Sequence, residues 1–304
     1  VDGDGDSVGT FTGGSFVIDV EDDVPQWAGD RGEGEEQFFP RVTELVHEDA
    51  LTTGGGAPHD GNPEGGQTTT VSGLAGSLSA LVDFGADGPG DFGLSSDVSS
   101  MDLQGLTSGG DPLTYEVVGN VLTATVGGET IFTLTVNADG SWEFVLQGPI
   151  DHPIADGSFD SEDLPGLGVD FSGILTATDG DGDPLVGGFP PGSSAVDIED
   201  DVPVVAGGEE GNEVSGVVHE DALTIGGGAP YEGNPEGGQT TIVGSATSGS
   251  LSGLVSFGAD GPGDFGISSD VSSMDLQGLT SGGDALSYAV VGNVVAATAG
   301  GETT

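Results

Sequence analysis

No lysine and no cysteine occur in this 304-residue chain, and its fixed positive charges are two arginines, Arg31 and Arg41. Without cysteine no disulfide can staple the fold, so order must come from packing or from bound ions. Without a basic patch the chain cannot neutralise phosphates, which excludes nucleic acid and anionic membrane surfaces as partners. No apolar run approaches the roughly 20 residues of a membrane span. Aromatic residues make up 6% of the sequence, too few for the sugar-stacking platforms that a carboxylate-pair glycosidase would need around one protonated acid.

Negative charge and glycine are abundant instead. Asp and Glu total 52, giving a net charge of −50 at pH 7, and a compact chain of that charge repels itself unless something cationic compensates. Glycine (60) and proline (16) fill about a quarter of the positions, a level at which low complexity competes with folding. Periodicity decides for a folded chain. Leu113–Val118, Val121–Val126, Ile131–Val136 and Ser141–Leu146 are β-branched and aromatic runs, several alternating as half-buried strands do. Gly119-Asn120, Gly127-Gly128 and Asn137-Ala138-Asp139-Gly140 separate them with residues that tolerate tight hairpins. The pattern predicts a four-strand antiparallel meander. Further strands are expected at Val71–Leu74, Leu78–Phe84, Phe171–Thr178 and Ala195–Ile198, the count of a β-sandwich. Helical spacing is confined to Val98, Met101 and Gln104 to Leu106. Trp142, Phe144, Leu134, Phe132 and Tyr115 are the expected core.

The chain also copies itself. HEDALTTGGG at His47–Gly56 returns as HEDALTIGGG at His219–Gly228, 172 residues on, and Ser95–Asp111 recurs unchanged at Ser268–Asp284. Upstream, Asp2–Asp6 and Glu21–Pro25 match Asp179–Asp183 and Glu199–Pro203. Such a period marks separate modules in an array, which spans distance or presents repeated surfaces. The expected organisation is the C-terminal tail of a preceding repeat at 1–25, a linker with an insert at 26–45, a complete repeat at 46–203, a linker at 204–217, and the N-terminal part of the next repeat at 218–304. The window reads as cut from a longer array.

The strongest chemistry is the clustering of carboxylates at the unit ends. Asp179, Asp181 and Asp183 alternate with glycine, so three carboxylates converge on one loop and repel unless they share a hard cation. An all-oxygen donor set suits Ca²⁺. The loop is not an EF-hand: counted from Asp179, position six is Pro184 and position twelve Pro190, where that loop needs glycine and glutamate. Glu199, Asp200 and Asp201 precede Val202-Pro203, and Glu220 and Asp221 open the next unit. The same sets recur as Asp2, Asp4 and Asp6, as Glu21, Asp22 and Asp23, and as Glu48 and Asp49. All sixteen are candidate Ca²⁺ ligands at the junctions, with Asp179, Asp181, Glu199, Asp200, Asp201 and Glu220 forming one site.

Catalytic motifs are absent in substance. Gly5-Asp6-Ser7-Val8-Gly9 fits G-x-S-x-G in letters alone, since neither a preceding strand nor a following helix fits around it. His47 and His219 head H-E-D phrases with no H-E-x-x-H helix for zinc. His59 aligns with Tyr231, and His152 lies beyond the second copy's span, so neither marks a repeated site. No enzyme activity is expected.

At FSGILTATDGDGD (Phe171–Asp183), VNADGSWEF (Val136–Phe144), VDIEDDVP (Val196–Pro203) and VHEDAL (Val46–Leu51 and Val218–Leu223) the chain resembles the repeat domains of giant type I secreted (RTX-type) bacterial adhesins. The resemblance implies an all-β fold of tandem antiparallel β-sandwich repeats, immunoglobulin-like or cadherin-like, with calcium-binding junctions. It implies an extracellular extender on the bacterial cell surface, supporting attachment to surfaces or between cells in biofilms. Asp179 and Asp181 resemble the cadherin D-x-D pair, Asp200 and Asp201 the linker acids, and Glu220 the glutamate opening the next domain. Neighbouring repeats are the implied partners. Trp27, Arg31, Phe38, Phe39 and Arg41, in the longer junction, are a candidate contact with other copies, with packing against their own unit as the alternative. That contact would suit a self-assembling filament or surface-layer subunit. A third reading, accessory repeats of a secreted polysaccharide hydrolase, would need a non-repeated segment with paired carboxylates.

Overall fold

A computed structural model of the chain describes residues 3–7, 13–14, 17–29, 40–52, 60–63, 65–152, 167–206, 213–224, 233, 237–244, 250–300 and 302–303. Strands and turns dominate these residues and helices are single turns, so the fold is all-β. The chain divides into two compact units, Val1–Thr53 with Pro63–Asp201, and Gly54–Asn62 with Val202–Thr304.

The first unit carries β1 (Gln26–Trp27), β2 (Val42–His47), β3 (Thr70–Gly73), β4 (Val82–Asp83), β5 (Pro89–Leu94), β6 (Thr107–Ser108), β7 (Asp111–Pro112), β8 (Thr114–Val118), β9 (Val121–Val126), β10 (Glu129–Val136), β11 (Trp142–Leu146), β12 (Leu167–Asp170), β13 (Leu175–Asp179) and β14 (Ser194–Glu199). Strands β8 to β11 are the meander, and β3 adds to its edge in the order β3-β11-β10-β9-β8. Alternation drives it: Trp142, Phe144 and Leu146 of β11 are buried while Glu143 faces solvent. In β10 Ile131 and Phe132 are both buried although adjacent, because the register against β9 shifts between Thr130 and Phe132, as a bulge does.

A second sheet is mixed. Strand β14 lies between β12, antiparallel, and β2, parallel. Val42 and Val196 of this sheet and Leu134, Val136 and Trp142 of the meander line one apolar gap, so the two sheets share a core. The rings of Phe132, Phe144 and Phe171 meet there at centroid distances of 5.3 to 6.0 Å. Tyr115 stands beside Phe132, and burial, with a smaller push from the Asp102 charge, raises its phenol to about 12.

Two expected strands are corrected. Leu78–Phe84 is a 3₁₀ turn, Ser77–Leu81, followed by the short β4, because Leu78 and Leu81, three apart, both point into the core. Phe171–Thr178 is interrupted: Ile174 and Leu175 N–H both bond back to the Phe171 carbonyl at 3.1 Å, and β13 starts only at Leu175. The helical spacing around Met101 is one turn, Ser99–Asp102, with Met101 fully buried. Residues 26–45, read as a linker, contribute β1, paired with β4, and the start of β2.

The second unit repeats part of the local structure of the first. It carries β15 (Val204–Val205), β16 (Val255–Ser256), β17 (Thr280–Ser281), β18 (Asp284–Ala285), β19 (Ser287–Val291), β20 (Val294–Ala299) and β21 (Glu302–Thr303). Val204 and Val205 pair with Ser256 and Val255 as Gln26 and Trp27 pair with Asp83 and Val82. The helical turn Ser272–Asp275 has cap dihedrals (−100°, 9°) that match those before Ser99–Asp102 (−98°, 11°). Burial does not follow the copy. Among the described residues, every buried hydrophobic side chain except Ala259 belongs to the first unit.

Candidate metal centre

Strand β13 alternates so that Leu175, Ala177 and Asp179 face inward, and the last of these is a carboxylate, 2% exposed. The β13–β5 register shifts between Ala177 and Asp179, which re-aims Asp179 at the strand end. The glycines of the DGDGD phrase then fold the chain back. Gly180 lies so close to the Asp87 carbonyl that a Cβ would collide with it, and Gly182 adopts φ 105°, a conformation glycine reaches without strain. The returning loop places the N–H groups of Gly182 and Asp183 on Asp179 Oδ1 at 3.1 and 2.8 Å.

Two further segments bring acids to this loop. The turn Gly85–Asp87 supplies Asp87, held by the bond from Gly180 N–H to the Gly88 carbonyl at 3.0 Å. The Glu-Asp-Asp-Val-Pro segment supplies Asp22, anchored on both sides: Asp23 Oδ2 accepts the Ala86 N–H at 2.8 Å, and Val186 N–H bonds to the Pro25 carbonyl at 3.0 Å. Two overlapping triads result, Asp179 with Asp181 and Asp183, and Asp22 with Asp87 and Asp181, each with carboxylate oxygens within 4.8 Å of one another.

Five carboxylates this close resist ionising together. A hydrogen bond with Asp179, together with burial and the charges of Asp179, Asp22 and Asp87, pushes the Asp181 carboxyl up to about 6. Asp183 is raised as well, first by a hydrogen bond with Asp22. Burial alone would raise Asp179, but the Asp183 N–H, the Asp181 carboxyl and the Gly182 N–H outweigh it and hold it below its ordinary value. The cluster could hold a cation in place of the shared protons, and its donors are all oxygen, the set that fits a hard divalent ion.

A third group forms where the parallel strands β2 and β14 end side by side, with Glu199 opposite His47. His47 Nε2 lies 3.5 Å from Glu199 Oε2. One residue further, Glu48 and Asp200 meet His152, again with ligand atoms within 4.8 Å. Asp49 is buried and accepts from Gln67 Nε2 at 2.8 Å. Its repeat partner Asp221 accepts from Gln239 Nε2 at 3.1 Å, so in both copies this acid ties the turn of the H-E-D phrase to a glutamine 18 residues on. Asp201 is buried at 2%.

The expected set is therefore regrouped. Asp179, Asp181 and Asp183 come together with Asp22 and Asp87, whereas Asp200 lies with Glu48 and His152. Glu220 and Asp221 are exposed members of the second unit. Asp4, Asp6 and Glu21 are exposed and stand outside these three groups, and Asp2 lies outside the described residues. Of the candidate contact residues, Trp27 is half-buried in β1 and Arg41 is exposed, while Arg31, Phe38 and Phe39 lie outside the described residues. Asp87 and His152 were not among the sequence candidates. Asp87 carried one usable signal, its place in the block GADGPGDFG (Gly85–Gly93) that recurs at Gly258–Gly266.

No helix among the described residues is long and apolar enough to cross a membrane. No curated protein and no solved structure matches the chain. Residues 45–187, which hold Glu48, Asp87, His152 and the whole DGDGD loop, match the family model of a domain of unknown function, DUF5801.

Proposed function

We propose that this chain is part of the calcium-rigidified extender of a secreted bacterial cell-surface adhesin, built from tandem Ig-like or cadherin-like β-sandwiches and working outside the cell in attachment and biofilm cohesion. The observation that carries this reading is the placement of Asp22. It belongs to the acidic phrase that recurs between the copies, yet its carboxylate faces Asp87 and Asp181 of the folded unit. A Ca²⁺ ion held by these oxygens and by Asp179 and Asp183 ties the inter-repeat segment to the loop end of the unit, and an ion at each such place turns a string of modules into a stiff rod. The charge balance supports it, since a −50 chain with two arginines needs bound cations to stay compact.

The test is small-angle scattering of the full chain in Ca²⁺ and in EGTA, with circular dichroism in parallel. Chelation should give a more flexible particle while the β-sheet signal persists, because the acids gather outside the apolar core. A sheet signal that collapses together with the scattering change would make calcium a condition of the fold, and an unchanged profile would remove the extender reading.

A further inference from the structure

The group of Glu48, His152 and Asp200 differs in chemistry from the aspartate loop, because one of its donors is an imidazole nitrogen. Its members are held by the fold on every side. Glu48 is fully buried, and its Oε1 accepts the Ile150 N–H at 2.7 Å, leaving Oε2 4.0 Å from His152 Nδ1. Asp200 leaves β14 beside it with Oδ1 3.4 Å from the same nitrogen. The His152 ring, its side chain 9% exposed, is anchored at both ends, with Nε2 2.9 Å from the Ile198 carbonyl and Nδ1 2.9 Å from the Ile150 carbonyl.

We infer that this cluster is a second cation site, of mixed nitrogen and oxygen donors, that takes a borderline transition-metal ion such as Zn²⁺ in preference to Ca²⁺. The donors are His152 Nδ1, one oxygen each from Glu48 and Asp200, and the Ile150 carbonyl. Nε2–H donating to the Ile198 carbonyl is the second contact that a metal-binding histidine needs, and it leaves Nδ1, directed at the Ile150 carbonyl with both carboxylates beside it, as the ligating nitrogen. The spacing fits as well. Ligands on one ion with bonds of about 2.1 Å stand roughly 3.0 to 3.4 Å apart at octahedral to tetrahedral angles. The 2.9 and 3.4 Å separations from Nδ1 to Ile150 O and Asp200 Oδ1 are close to those edges, and Glu48 Oε2, at 4.0 Å, has to move closer to join them. Two carboxylates balance a divalent charge, and the ion displaces the Nδ1 proton that the Ile150 carbonyl otherwise accepts. Calcium, a hard ion that selects oxygen, gains nothing from the imidazole, so the unit sorts two ions by donor type: oxygen-only at Asp181, nitrogen-bearing at His152. The same contacts have a metal-free reading, a doubly protonated ring donating to both carbonyls between two carboxylates.

Zinc titration of the full chain, saturated beforehand with Ca²⁺, separates the two, with Co²⁺ absorption as a spectroscopic probe of nitrogen ligation. One equivalent of Zn²⁺ should bind and shift the His152 ring resonances. His152→Gln should abolish that binding and Asp200→Asn should weaken it at least about tenfold, whereas Asp181→Asn and His47→Gln leave it unchanged. Asp200→Asn keeps both carbonyl contacts of the ring, so it decides the matter even where His152→Gln fails to fold, as circular dichroism will report. No Zn²⁺ uptake by the Ca²⁺-saturated chain, or uptake indifferent to Asp200→Asn, overturns the site and leaves the protonated ring. Because the aspartate loop is already filled, failure here leaves the calcium reading untouched.

Discussion

At Asp181 a proton would compete with the proposed cation for one place. Its carboxyl is pushed up to about 6 in the metal-free fold, through a hydrogen bond with Asp179 and then through burial and neighbouring charge. A native pKa above the unfolded one means that the folded chain binds the proton more tightly. The associated stability is therefore complete below about pH 4 and is lost as pH rises through about 6. A metal reverses the sign, because its ligands must be ionised, so its affinity falls as pH drops through that window. Calcium titrations should therefore weaken by roughly tenfold for one displaced proton between about pH 7 and pH 5, and a flat profile would remove Asp181 from the ligand set. Asp87→Asn removes one of the charges that raise Asp181, so the window should move to lower pH while calcium affinity drops on the order of tenfold with the lost ligand charge. The DGDGD loop was legible in the sequence because its three acids are local. Asp87 was not, since it arrives through a turn folded against Gly180 about ninety residues away, and His152 lay outside the repeated text altogether.

At the scale of the element, the strands that could be read were those that alternate. Strands β8 to β11 pair with their chain neighbours, so local pattern and hairpin turns determine them. Strand β2 could not be read that way. Its partner is β14, parallel and far along the chain, and its outer residues Thr43, Glu44 and Leu45 are exposed, so it lacks a clean two-residue period. The opposite difference at Leu78–Phe84 has a related cause: the apolar run suggests one extended strand, although its buried residues Leu78, Leu81 and Val82 follow a three-residue turn and not a two-residue period. Because the meander's inner face carries the packing, Phe144→Ala should remove about 3–5 kcal/mol. Phe144 is fully buried between Phe132 and Phe171. Urea unfolding followed by the fluorescence of the neighbouring Trp142 measures this, and a loss below about 1 kcal/mol would mean that the two sheets do not share that core. Glu143→Ala on the exposed face of the same strand is the control and should change stability by about 0.5 kcal/mol or less.

At the scale of the whole molecule, the repeat provides an internal experiment, since Ser95–Asp111 and Ser268–Asp284 are identical in sequence. Their secondary structure is the same: a helical turn, then a two-residue strand pair. Their burial is not, for Leu106 is 8% exposed and its copy Leu279 50%, and just upstream Phe92 is 6% exposed and Phe265 39%. Local sequence therefore sets the turn and the hairpin, while tertiary partners decide whether the apolar face is covered. In the first unit those partners include β10, β11 and Phe171, which supply the aromatic cluster. Protection against amide exchange scales with such covering, from almost none at exposed hairpins to the global value in core strands. The pairs β8–β9 and β19–β20 have equivalent registers, Thr114 with Thr125 and Ser287 with Thr298, so they differ in packing and not in hydrogen-bond pattern. Hydrogen exchange on the full chain should show the amides of β9 and β10 protected on the order of a hundredfold more than those of β19 and β20. Equal protection would show that the apolar face of the second unit is covered in solution by another copy, and the concentration dependence of that protection would identify such an assembly.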